Sequence, residues 1–181
     1  MAVAHTPIVR NVRANSPDSP SSPEAGFGGR LNLLLSYAGW HPESWVDRLP
    51  SLLSPMGIQS LRASSGAQAQ RVMTDHRIHI AVVDLGLPLD DGAYSQGGSP
   101  EFAEGGPRLL ELLSRLDAPP PVVAVKRSRT SRDDCRDLAA ALRLGAFAVV
   151  DRPTQLSDLE VILGVLRRIL ERHYEGRWPV A

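Results

Sequence analysis

The sequence predicts one α/β domain, a doubly wound (βα)5 parallel sheet with strand order 2-1-3-4-5, preceded by a segment without stable structure. Three observations lead there. Five short apolar runs alternate with five stretches of helical periodicity between Leu31 and about residue 175. The runs are apolar throughout instead of alternating with polar residues, as parallel strands are when helices cover both faces of a sheet. This (βα)5 alternation most often takes the order 2-1-3-4-5 at this size. Residues 1–30 differ in kind, with four Pro, four Ser and three Gly and only scattered apolar positions. Such a segment buries too little surface to offset its chain entropy. Its GFGGR at 26–30 precedes a strand, whereas a dinucleotide loop follows one, so it reads as linker.

The elements follow in order. Leu31–Ser36 (LNLLLS) is the first strand. Pro42 opens a helix whose Trp45, Leu49, Leu52, Leu53 and Met56 share one face, with a kink expected at Pro50 and a stop at Gly57. Ile58–Ala63 is the second strand, and Ser64 and Ser65 are candidate caps for a short helix through Met73. Ile78–Asp84 (IHIAVVD) is the third strand. Residues 85–107 hold no long apolar stretch, after which Arg108–Leu116 places Leu109, Leu112, Leu113 and Leu116 in phase. Pro119, Pro120 and Pro121 precede the fourth strand, Val122–Val125. Ser131 with Asp134 begins a helix that turns Cys135, Leu138, Ala139 and Leu142 inward and stops at Gly145. Ala146–Val150 is the fifth strand. Ser157 and Glu160 form a capping-box pair for the last helix, with Leu159, Ile162, Leu163, Leu166, Ile169 and Leu170 inward.

Composition narrows the function. The 181 residues are 43% hydrophobic and 22% charged, within the range of a chain that buries a core. Twenty acidic and 20 basic residues cancel, so no overall field favours nucleic acid or an anionic membrane. One cysteine excludes an internal disulfide, and no Cys/His spacing resembles a zinc cage. No apolar run reaches the roughly 18–20 residues of a membrane span. MAVAHTPIVRNVR has no apolar core of a secretion signal, so a cytoplasmic protein is expected. Among the 20 basic residues Lys126 is the sole lysine.

In an open sheet of this kind the functional crevice lies outside the carboxyl ends of the central strands. Asp84 ends the third strand, Lys126 the fourth, and Asp151-Arg152-Pro153 follow the fifth. A carboxylate flanked by cations suits phosphoryl chemistry, the carboxylate as acceptor and the cations beside the transferred oxygens.

Three motifs carry a resemblance. VVDLGLPLDDG (82–92), PVVAVK (121–126) and LGAFAVVDRP (144–153) occur in order within the alternating elements, and over residues 31–175 the chain resembles the receiver domains of bacterial two-component response regulators. The resemblance implies a flavodoxin-like fold with no enzyme activity of its own. It makes Asp84 the phosphoacceptor position and Lys126, Arg152 and Pro153 the switch or phosphate-facing positions, with Pro153 on a cis bond. It also makes Asp84 and the Gly86 carbonyl the Mg2+ ligands. Receivers also carry an acidic pair after the first strand, where this chain has Ser36-Tyr37-Ala38-Gly39. Lys126 replaces the usual Ser or Thr, Arg152 the usual lysine and Val149 the usual aromatic. Losing both carboxylates of the pair weakens Mg2+ most, because that small, hard cation is held through carboxylates in strict octahedral geometry. A lysine at 126 is also able to reach Asp84 and neutralise it. These departures describe a pseudo-receiver.

Compared with the family, the loop after Gly92 is longer by about 14 residues, AYSQGGSPEFAEGG at 93–106. Residues 85–107 carry Asp90, Asp91, Glu101 and Glu104 and no basic residue, a local charge of −4. Asp90 and Asp91 are therefore candidate substitute metal ligands, and the loop is read as a flap. Residues 126–136 sum to +3. In receivers the surface of helix 4, strand 5 and helix 5 serves partners and dimers, so a signalling partner, either a histidine kinase or an output protein, or a homodimer is expected there, with nucleic acid unfavoured. His76 and His79 read as local packing or capping, and Cys135 as core.

Three functions follow. The first is a receiver-like protein in phosphorelay signalling that acts through protein–protein contact without conventional phosphorylation, residues 176–181 forming a short tail. The second is an active receiver phosphorylated on Asp84 by a histidine kinase. A small flavodoxin-like nucleotide or cofactor binder is the remote third, because no phosphate loop or cofactor glycine motif follows a strand.

Overall fold

The computed structural model describes residues 30–37, 45–90, 105–126 and 131–175. The N-terminal segment through residue 29, most of the 93–106 insertion, Asp91 and the 176–181 tail lie outside the described residues. Five parallel strands form one sheet in the order β2-β1-β3-β4-β5: β1 Leu31–Ser36, β2 Ile58–Ala63, β3 Ile80–Asp84, β4 Val122–Lys126 and β5 Ala148–Asp151. The helices are α1 Trp45–Leu53, α2 Gly66–Asp75, α3 Gly105–Ser114, α4 Ser131–Arg143 and α5 Leu156–Tyr174. This is the flavodoxin-like (βα)5 architecture the sequence predicts.

The apolar central strands supply two cores, one per face. Leu33, Leu35, Ile80, Val82, Val123 and Val125 pack against Leu49 and Leu53 of α1 and Ile162, Leu166 and Ile169 of α5. The intervening residues Leu34, Ala81, Val83 and Ala124 pack on the other face, against Ala69 of α2 and Leu109, Leu110 and Leu113 of α3. Strand periodicity of two thus sends alternate residues into different helix layers, and neither face of the central strands is left to water. Register pairs Asp84 with Val125 and Lys126 with Asp151, which fixes the order of charges along the carboxyl edge.

Helix ends follow local chemistry. The Ser65 hydroxyl accepts from the Gln68 amide at 3.0 Å as the N-cap of α2. Gly57 (φ 72°) and Gly145 (φ 84°) take the left-handed conformation that ends the preceding turns. The α5 cap lies two residues earlier than the sequence suggests. Gln155 is the N-cap, and the Asp158 carboxylate accepts from the Thr154 amide at 2.9 Å and the Gln155 amide at 3.0 Å. Those amide donors hold the Asp158 pKa below its ordinary value. A charged acceptor on two amides forms stronger hydrogen bonds than a serine hydroxyl would, which is why the box centres on Asp158 rather than on Ser157 and Glu160.

Two helical faces also differ from expectation. In α4, Cys135, Leu138, Ala139 and Leu142 are exposed, Leu142 at 51%, and Ala141 is buried instead. Helical spacing identifies a stripe and leaves open whether the sheet or solvent receives it. In α1, Leu49 and Leu53 point inward while Leu52 and Met56 are exposed. The helix passes into a 3-10 turn at Ser54–Met56, with Pro55 in its first turn, so the 3.6-residue phase stops short of Met56.

Helix α3 begins three residues before its expected start, at Gly105, and ends at Ser114, leaving Leu116 exposed. The reason is close approach. A Cβ on Gly105 would lie 2.3 Å from the Pro88 carbonyl oxygen, and one on Gly106 would lie 2.4 Å from the Asp84 carbonyl oxygen. Only glycine lets α3 settle on the loop leaving β3, so the last two residues of the 93–106 insertion belong to the helix. Gly106→Ala is expected to destabilise the fold by about 1–3 kcal/mol, as overpacking does, measured as a lower urea midpoint. The conflicting atoms are backbone, so no side-chain rotation relieves them, and an unchanged midpoint would refute the close approach.

Candidate functional site

Three strand ends build the site. Asp84, the last residue of β3, is 1% exposed. The Gly86 amide donates to its Oδ1 at 2.8 Å, and Leu87 N–H donates to its carbonyl at 3.0 Å, so the loop folds tightly around the carboxylate. An Arg152 Nη2 hydrogen bond and ion pair engages its Oδ2. Arg152 follows β5 directly, and its amide donates to the Lys126 carbonyl at 2.8 Å, extending the β4–β5 ladder by one residue. That anchor lets its side chain pass the end of β4 and reach β3. Its Nε is buried without a hydrogen-bond partner.

Lys126 forms its ion pair with Asp151, Nζ to Oδ1 at 2.6 Å. The expected approach of Lys126 to Asp84 therefore gives way to an ion pair from Arg152. Register explains the exchange, since Lys126 lies directly opposite Asp151 in the β4–β5 pair. The sequence places Asp151 at this edge without a partner; the shared register position, which supplies one, is visible only in the sheet. The two pairs differ in setting: Asp84 is buried, whereas Asp151 is 65% exposed. Pro153 is buried beside Arg152, and no peptide bond among the described residues is cis. The Arg152–Pro153 bond is therefore trans where the resemblance implied cis; trans is the lower-energy isomer by roughly 0.5–1 kcal/mol.

A divalent cation does not fit these residues well. At the end of β1, buried Ser36 presents a hydroxyl that donates to the Val82 carbonyl at 3.1 Å. Ala38 and Gly39, which complete the position of the acidic pair, carry no carboxylate. No group of three or more His, Cys, Asp or Glu side chains is assembled among the described residues. Both Asp84 oxygens accept from protein donors, one of them cationic. Asp90, expected as a substitute ligand, is exposed on the wall of a groove of about 190 Å3 between α2 and α3, with Gln70, Leu89, Arg108 and Leu112. Asp84 is not part of that wall. Asp91 lies outside the described residues.

His76 has the local capping role expected of it, whereas His79 contacts residues distant in the chain. His76 is the C-cap of α2, its amide donating to the Val72 carbonyl at 2.9 Å. His79 lies at the opposite end of the sheet from Asp84, with its Nδ1 accepting from the Asn32 amide at 3.0 Å.

Solved structures share this fold. The fold is that of a response-regulator receiver domain. A CheY-like receiver domain protein from Methanospirillum hungatei is 16% identical with a TM-score of 0.57, covering 81% of this chain and 99% of that one. The receiver domain of a signal transduction histidine kinase from Syntrophus aciditrophicus is 19% identical with a TM-score of 0.56, covering 79% and 92%. NtrX from Brucella abortus is 19% identical with a TM-score of 0.54; 80% of this chain aligns with it but only 29% of NtrX is spanned. No family model and no curated protein matches the sequence. On the receiver fold Asp84 stands at the carboxyl edge of the central strand β3, and no described helix is long and apolar enough to cross a membrane.

The two ion pairs are expected to respond differently to mutation. Arg152→Ala strands a buried carboxylate and lowers stability by about 3–5 kcal/mol. Lys126→Ala breaks a pair with an exposed partner and costs about 0–1 kcal/mol. Denaturant titration of both variants measures the contrast, and equal losses would refute it.

Proposed function

We propose that the chain is a receiver-type signalling protein of the cytoplasm that acts through protein–protein contact, with Arg152 on Asp84 in place of a metal ion. One observation carries this reading: the Asp84 carboxylate is buried, accepts from the Gly86 amide and is ion-paired to Arg152. A carboxylate so engaged is a weaker nucleophile toward phosphorus, and the donor set offers Mg2+ little to replace water with. The contact surface we favour is that of α4, β5 and α5. Leu138 and Leu142 of α4 and Val161 of α5 are exposed, Val161 at 58%, and Arg136 and Arg143 on α4 are exposed basic residues. That combination suits an acidic amphipathic partner, such as a kinase or output protein, or a second copy of the chain.

Incubation with acetyl phosphate, or with beryllofluoride and Mg2+, followed by intact mass measurement tests the site. No adduct is expected. An adduct that disappears in Asp84→Asn would establish the second reading, an active receiver phosphorylated on Asp84 by a histidine kinase. That reading draws support from the position of Asp84 at the end of β3 beside a cation. If it holds through loop acids, Asp90→Ala with Asp91→Ala abolishes Mg2+-dependent labelling.

For the surface, Leu142→Asp is expected to leave the urea midpoint within about 0.5 kcal/mol of wild type, as an exposed substitution does. It should also weaken self-association in sedimentation equilibrium, or binding to the cognate partner, at least tenfold. Unchanged association would move the interface to another face.

A further inference from the structure

A cluster at the amino-terminal end of the sheet, opposite Asp84, plays no part in the proposed function. His79 precedes β3. Its Nδ1 accepts from the Asn32 amide at 3.0 Å, and its own amide donates to the Asn32 carbonyl at 2.9 Å. The Asn32 side chain donates to the Arg77 carbonyl at 2.9 Å. From α5, the Tyr174 hydroxyl donates to the His79 carbonyl at 2.5 Å, and the Tyr174 and His79 rings meet edge to face with centroids 6.4 Å apart. His173 follows, its ring 6.5 Å from that of Tyr174 and 5.8 Å from that of Phe147. Tyr174 lies in the last helical turn of α5, so one histidine touches both the first strand and the end of the last helix.

The bond at Nδ1 requires the neutral ring. Nδ1 accepts only while it carries no proton; once protonated it is a donor facing another donor, and the ring must turn away. Among the described residues, Arg77 on its own loop and Tyr174 on α5 face His79, with His173 behind Tyr174, and β1 presents the neutral Asn32. Arg77 opposes a second positive charge here.

We infer that His79 is a pH-sensitive latch: its protonation breaks the Asn32–His79 bond, turns the ring out of its contact with Tyr174 and frees the last turn of α5. Burial, then the Arg77 charge, lowers the His79 pKa from 6.5 in the folded chain. The unfolded state therefore binds the proton more readily. The latch contributes fully above the unfolded value of 6.5 and loses strength as pH falls below it toward the folded value. Burial raises the Tyr174 pKa above 10.0, so its hydroxyl keeps its proton throughout this range.

Hydrogen exchange of the full chain between pH 7.5 and 5, corrected for intrinsic rates and paired with NMR titration of His79, tests the latch. Amides of the last α5 turn, residues 171–174, are expected to lose protection roughly tenfold over this range, about the worth of one hydrogen bond. Amides in the middle of α5 should hold theirs. In His79→Asn the carboxamide oxygen replaces Nδ1 as acceptor and does not titrate, so protection, lowered by loss of the ring contact, should be the same at both pH values. In Tyr174→Leu, which removes both the ring contact and the hydroxyl bond, the last turn should already be loose at pH 7.5 and change little with pH. The latch is overturned if His79 titrates without loss of protection at 171–174. It is equally overturned if His79→Asn loses protection over the same range as wild type. If His79→Asn fails to fold, Tyr174→Leu still decides: a full wild-type pH response in that variant overturns the proposal.

Discussion

The ion pair between Asp84 and Arg152 organises the functional end of this molecule. It joins β3 to the segment after β5 past the intervening β4, and so ties together three strand ends that hydrogen bonds along the ladder connect only pairwise. A buried carboxylate is tolerated only when charge and hydrogen bonds compensate for its lost hydration. Arg152 supplies the charge and the Gly86 amide a second donor. Arginine suits this position because its guanidinium presents several donors on one rigid plane and stays charged when buried. Once Arg152 is committed to Asp84, Lys126 meets Asp151 across the β4–β5 register. The edge thus carries a dry pair and a wet one, and the dry pair supports our reading of a site that works without metal.

The approach of α3 imposes the second constraint. Gly105 and Gly106 lie against the carbonyls of Pro88 and Asp84, so the helix that follows the insertion rests on the loop that shapes the site. The amides of Gly66 and Ala67 at the start of α2 donate to the Pro88 and Leu89 carbonyls at 2.8 and 2.9 Å. Residues 85–90, the described start of the β3–α3 loop, are therefore held from two helices at once. Asp84 owes its position to this frame as much as to its strand, because a shift of either helix start moves the loop that wraps the carboxylate.

Much of the fold was legible without coordinates. The bounds of β1 and β2 coincide with those read from the sequence, and the parallel arrangement follows from central runs buried on both faces. Stops at Gly57 and Gly145 needed only the left-handed freedom of glycine. The α4 stripe was visible and its direction was not, because a periodic pattern specifies a face and leaves its partner open. At the site, Asp84, Lys126 and Arg152 were recognised as neighbours from their places at strand ends. Their pairing was hidden, since which cation meets which carboxylate depends on register and on the reach of each side chain.

By itself the sequence determined five parallel strands, buried at the centre of the sheet, and a carboxylate with two cations at one edge, because burial and periodicity are local properties that a single chain displays. The tertiary structure alone decided that Arg152 holds Asp84, that Lys126 turns to Asp151, that α4 shows its leucines to solvent and that His79 joins β1 to the end of α5. Each of those is a contact between residues far apart in the chain. Distance in space, set by how the elements pack, governs an ion pair or a hydrogen bond, and spacing along the chain does not record it.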